Sequence, residues 1–122
     1  MKTTLVASVA IGAAIAALAI SGPAAAHARL LMGTPKNGST VAAPKAMTLR
    51  YSEELVPAAS NVKVVGPTSA AVATGPLALD STKKVVTVPF TGALAAGVYR
   101  VSWHMKTEDG HETDGAFVFT VK

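Results

Sequence analysis

The sequence predicts an all-β domain: an antiparallel sandwich or small barrel of about seven short strands. Three observations carry this. Stretches rich in β-branched and aromatic residues are short and follow one another at regular spacing. Gly, Pro, Asn and Ser punctuate nearly every gap between them, and beyond the first 26 residues no 3.6-residue periodicity of convincing length exists. Two of the stretches also alternate strictly between apolar and polar residues.

In chain order, the first element is not a strand. Lys2 is followed by an almost unbroken run of Leu, Val, Ala, Ile and Gly over residues 5–20. Ser21, Gly22 and Pro23 end the run, and Ala24, Ala25 and Ala26 form a small-residue cleavage site. This is the layout of a secretory signal peptide. The run is shorter than the roughly 20 residues a bilayer span needs, and no basic stop-transfer cluster follows. The expected organisation is therefore a leader over 1–26 and one domain over 27–122, exported to the periplasm and without stable membrane insertion after cleavage.

Candidate strands cover residues 28–32, 47–51, 61–65, 72–78, 84–90, 98–105 and 116–121. Breaks fall at residues 33–38, at Pro44, Pro57, Gly66-Pro67, Gly75-Pro76, Gly92 and Gly97, and at Asp109-Gly110. In the sixth strand Tyr99, Val101, Trp103 and Met105 share one face, with Arg100, Ser102, His104 and Lys106 on the other. In the seventh, Phe117, Phe119 and Val121 share the inward face. Trp103 is placed at the centre of the core.

Composition excludes several functions. The chain has no cysteine, which removes thiolate nucleophiles, Cys-ligated zinc and blue-copper centres. Without the leader, 10 basic residues face 7 acidic ones, a formal charge of about +3. These charges are dispersed, with no basic run or interleaved aromatic stripe, so no nucleic-acid partner is expected. No serine-hydrolase or paired-carboxylate signature stands out, and no catalytic residues are assigned.

The chemistry concentrates in two places. Cleavage after Ala26 makes His27 the first residue, where one position offers both a free α-amine and an imidazole to a metal. Asp109-Gly110-His111 sets a carboxylate and an imidazole two residues apart just before the last strand. In extended chain such residues point the same way, although Asp-Gly is also an ordinary turn. Amine, imidazole and carboxylate donors suit Cu(II), which outcompetes Zn(II) for a common donor set. These ligands bind deprotonated, so binding should weaken in acid.

Several segments together resemble the CopC family of periplasmic copper-resistance proteins. They are His27-Ala28-Arg29-Leu30, Pro35-Lys36-Asn37-Gly38 and Leu49-Arg50-Tyr51-Ser52-Glu53, then residues 97–103, then Asp109-Gly110-His111 leading to residues 115–119. The resemblance spans essentially the whole expected domain. It implies a Greek-key, immunoglobulin-like β-sandwich that binds one Cu(II) through His27, Asp109 and His111. It further implies a monomer serving copper homeostasis or resistance, with an inner-membrane copper transporter as partner. Glu53 matches a carboxylate described near the centre in some relatives, but it also reads as a strand-end residue and is left out of the site. His104, opposite Trp103, reads as a surface histidine. Some relatives carry a second, Cu(I) site in a Met-rich loop. This chain has only Met32, Met47 and Met105 after the leader, so no such site is expected.

Two other readings compete. Lytic polysaccharide monooxygenases resemble this chain in their N-terminal His chelate and sandwich fold. They need a flat aromatic binding face and an open metal position, whereas the aromatics here belong to strands and Asp109 would occupy that position. A metal-free immunoglobulin-like structural module would have the same fold with His27 incidental.

Overall fold

The computed structural model describes residues 27–122. Residues 1–26, where the leader is expected, lie outside the described residues. Eight strands form: β1 (Leu30–Thr34), β2 (Thr40–Val41), β3 (Ala46–Tyr51), β4 (Asn61–Val65), β5 (Ala78–Leu79), β6 (Val85–Pro89), β7 (Gly97–Lys106) and β8 (Glu112–Val121). They make two four-stranded sheets, ordered β1-β3-β6-β5 and β2-β8-β7-β4. Every pairing is antiparallel except β2 with β8, which is parallel. The chain passes repeatedly from one sheet to the other, so the fold is the all-β sandwich that the residue pattern indicates.

Alternation places the core where period two requires. Met47, Leu49 and Tyr51 of β3 and Val86 and Val88 of β6 line the inner face of the first sheet, all buried. Tyr99, Val101, Trp103 and Met105 of β7, with Phe117, Phe119 and Val121 of β8, line the second. The ring of Tyr99 stacks on that of Phe119, its cross-strand partner, at 5.3 Å and 10° between planes. Across the sandwich, Tyr51 meets Trp103 edge to face at 5.2 Å. Burial of each large apolar side chain contributes about 1.5–3 kcal/mol. In a chain without cysteine, this packing takes the place of disulfides.

Three of the seven expected strands differ clearly, and β2 (Thr40–Val41) is additional to them. The segment 72–78 is not a continuous strand: it meets its neighbours through an isolated bridge at Thr74 and scattered backbone hydrogen bonds at Val72, Ala73 and Gly75, and regular pairing appears only at Ala78–Leu79. Pro76 has no N–H to give a ladder, and Gly75 lies so close to Pro89 that a Cβ there would meet its ring at 2.7 Å. The first strand starts two residues later than expected, because Ala28 is buried in the core and Arg29 is bonded to Ser52, as described below. The last strand starts four residues earlier. Polar residues 112–115 continue the β7–β8 hairpin, with Lys106 opposite Glu112 and Trp103 opposite Gly115.

Candidate metal centre

The N-terminal arm and the β7–β8 turn meet at one end of the sandwich. Ala28 is fully buried and anchors the arm in the core. At the next residue, the Arg29 N–H donates to Ser52 Oγ at 2.9 Å, and the Ser52 N–H donates back to the Arg29 carbonyl at 3.0 Å. These bonds replace a regular ladder at the start of β1, where the register also slips between Leu30 and Met32. Exposed His27 projects from this clasp. A few residues beyond Ser52, the same segment grips the turn: the Glu108 N–H donates to the Glu54 carbonyl at 3.1 Å and the Val56 N–H to the Lys106 carbonyl at 2.8 Å. Residues 52–56 thus strap the arm and the turn to one scaffold.

The turn over 107–111 is tight. Gly110 has φ +93°, a conformation that side chains rarely adopt, although the space around it is open. The Gly110 N–H donates to the Thr107 carbonyl at 3.0 Å and the Thr107 N–H to the His111 carbonyl at 2.8 Å. The result folds Asp109 back on His111, with Oδ1 3.2 Å from Nδ1. The Thr107 hydroxyl donates to the same carboxylate oxygen. That bond first, and His111 second, hold the Asp109 carboxyl below the usual carboxylate range.

The ring of His27 packs edge-on against that of His111, with centroids 5.1 Å apart and planes at 85°. All three residues singled out in the sequence therefore gather at one place, although His27 and His111 are 84 positions apart. Among the described residues, no three His, Asp or Glu side chains are already arranged as a ligand set. In the 122-residue chain the His27 nitrogen belongs to a peptide bond with Ala26, so the free α-amine expected as a fourth donor is absent from it. The chemistry of the set, two imidazoles and a carboxylate without sulfur, fits Cu(II).

Glu53 borders the centre without joining it. It lines a polar cleft of about 290 Å³ with Glu54, Lys84, Thr107, Glu108 and Asp109. Glu108 is held by Lys83 at 2.8 Å, an exposed ion pair that contributes little stability. His104 stands apart on the outer face of β7, its Nδ1 2.6 Å from Asp114 Oδ1 and its Nε2 3.5 Å from Glu112 Oε1. The Asp114 hydrogen bond, with a smaller contribution from Glu112, raises the His104 pKa above its ordinary 6.5. The stabilisation this gives is complete below that ordinary value and is lost as pH rises through the higher, folded-state value. NMR titration should find His104 raised in the native protein and returned towards 6.5 by Asp114→Asn; a value unmoved by the substitution would refute this pairing. Sequence patterns missed Ser52 and Thr107, which hold the arm and the turn. A threonine two residues before an Asp-Gly pair was the available signal for the latter.

The CopC domain family matches residues 30–122. The chain belongs to the CopC domain family. Protein YobA of Escherichia coli K12 is 37% identical to this CopC-domain chain over 99 residues, covering 80% of each. Copper resistance protein C of Pseudomonas syringae pv. tomato is 32% identical over 113 residues, covering 88% of this chain and 90% of the relative. Among solved structures, PcoC, described as a methionine-rich copper resistance protein from Escherichia coli, superposes with a TM-score of 0.71 at 32% identity. It covers 80% of this chain and 100% of PcoC. The sandwich is thus a fold this chain shares with PcoC. The methionines of this chain are placed differently from what a methionine-rich site would need: Met47 and Met105 are fully buried, and Met32 is the one exposed methionine among the described residues.

Proposed function

We propose that this CopC-domain protein is exported to the periplasm, loses its leader after Ala26, and there binds one Cu(II) for copper homeostasis or resistance. The ligands are the α-amine and imidazole of His27, the carboxylate of Asp109 and the imidazole of His111. The observation that carries the reading is the approach of His27 to His111, ring to ring at 5.1 Å, with Asp109 already against His111. The copper resistance proteins among its relatives support the choice of metal. Burial of Met47 and Met105 supports a site for Cu(II) alone, because a Cu(I) site would call for accessible thioethers. The role is binding, as a monomer that sequesters copper or carries it to an inner-membrane transporter, without a catalytic step.

The test is a Cu(II) titration of protein beginning at His27, followed by EPR. One equivalent should bind, with a tetragonal, nitrogen-rich signal. His27→Ala and His111→Ala should each lower affinity by more than about a hundredfold, because direct donors matter more than the supporting residues whose loss costs roughly 10–100-fold. His104→Ala should bind like the native protein, since its ring faces Asp114 and Glu112 instead. Equal uptake by the native protein and His27→Ala would overturn the reading.

A further inference from the structure

Thr107 is the one buried polar residue among the described residues, 2% exposed, while Asp109 and His111 have side chains about half exposed. Packing therefore does little to orient the two putting their side chains into solvent, and hydrogen bonds must do it. Thr107 supplies most of them. Its hydroxyl proton goes to Asp109 Oδ1, a charge-assisted bond. The hydroxyl oxygen accepts the His111 N–H at 3.1 Å. Its own N–H binds the His111 carbonyl and its own carbonyl takes the Gly110 N–H. A hydroxyl has one proton and two lone pairs, so a single side chain reaches both Asp109 and the backbone of His111. The residue itself is fixed by the core and by its bridge to Leu55.

We propose that Thr107 is the positioning residue of the metal centre. Its hydroxyl sets the rotamer of Asp109 through Oδ1 and the backbone of His111 through the amide, leaving Asp109 Oδ2 and His111 Nε2 outside these bonds for the metal. The inference rests on the copper reading above and adds to it a residue that contacts no metal. It belongs to the group of outer partners that orient metal ligands, whose loss lowers metal affinity roughly 10–100-fold.

The experiment compares Thr107→Val, which keeps the branched shape and removes the hydroxyl, with Thr107→Ser, which keeps the hydroxyl and removes a methyl. In metal-free protein, hydrogen exchange at the His111 amide should accelerate at least about tenfold in Thr107→Val and stay near native in Thr107→Ser. With Cu(II), measured by competition against a chromophoric chelator, Thr107→Val should bind about 10–100-fold more weakly with an altered EPR spectrum. Thr107→Ser should lie within about threefold of native. If Thr107→Val binds Cu(II) like the native protein, the proposal is wrong while the copper reading stands. If Thr107→Ser loses affinity as much as Thr107→Val, packing of the methyl and not the hydroxyl matters, and the proposal is again overturned. Even if the valine variant does not fold, a Thr107→Ser variant that binds Cu(II) about tenfold or more weakly than the native protein overturns the proposal, since its hydroxyl is intact. A native protein that takes up no Cu(II) overturns the copper reading and this proposal together.

Discussion

Placing one alanine ahead of His27 should lower the Cu(II) affinity of the protein by more than about a hundredfold, or about 2.7 kcal/mol, with no change in the melting temperature of the metal-free form. The extra residue converts the His27 nitrogen from an amine into an amide and moves the free amine one residue, about 3.8 Å of chain, from the imidazole. The chelate formed by amine and ring at a single residue is then gone. Any Cu(II) that the extended protein still takes up must use a different donor set, which EPR would report as a changed spectrum. The fold has no stake in the substitution: His27 is exposed, while Ala28 is buried and Arg29 is clasped by Ser52, so the added residue extends into solvent from an arm that is already anchored. This makes the experiment sharper than His27→Ala, because it leaves every side chain in place. Equal affinity for both forms would remove the α-amine from the ligand set and with it the need for cleavage after Ala26.

Much of this arrangement is legible in the residues. The alternation in β7 and β8 identifies their inner faces without reference to any structure, because both strands are long enough for period two to show and one side of each is packed. β4 falls on residues 61–65 as expected. The failures have local causes. β2 is two residues long, too short to carry a period, and exists only because Thr40 and Val41 meet the end of β8. Residues 112–115, Glu-Thr-Asp-Gly, read as a loop on propensity, yet a ten-residue β7 offers them a complete partner, and pairing overrides propensity. The region 72–78 fails in the opposite direction: Val72 and Thr74 favour a strand, but Gly75-Pro76 cannot sustain one.

The centre divides in the same way. Residue types and processing mark His27, and the Asp-x-His spacing marks Asp109 and His111. What brings the two together over 84 positions is the strap over 52–56, whose grip is made largely of backbone hydrogen bonds and one serine hydroxyl. Backbone bonds have no signature in side-chain identity, so this link is invisible to sequence patterns. Thr107 is hidden for a related reason: directly after β7 it reads as an ordinary strand-end threonine, its place two residues before Asp-Gly is a weak signal, and its burial is what shows that its hydroxyl must bond within the turn.

Gly115→Ala should cost about 3 kcal/mol or more, lowering the melting temperature by roughly 12 °C or more in a domain of this size. Gly115 has no unusual φ; the demand for glycine is purely steric. It sits opposite Trp103 in the hairpin, and the indole occupies the space a side chain would need, so a Cβ would be 2.9 Å from Nε1 and closer still to Cε2 and Cζ2. The ring cannot withdraw freely, because Tyr51 packs against it edge to face from the other sheet. Trp103→Phe should relieve the clash at modest expense, since the buried Nε1–H has no hydrogen-bond partner to lose. The double variant should therefore be more stable than the sum of the two single changes by at least about 1.5 kcal/mol; strict additivity would show that the indole is not what excludes a side chain at 115. The clash lies on the inner face, three residue pairs from the turn, with His104–Asp114, Met105–Thr113 and Lys106–Glu112 in between. At a temperature where Gly115→Ala is still folded, its Cu(II) affinity should consequently stay within about threefold of native. Stability and metal binding would then be separable along one hairpin: the core end holds the strands in register, and Thr107 converts that register into the placement of Asp109 and His111.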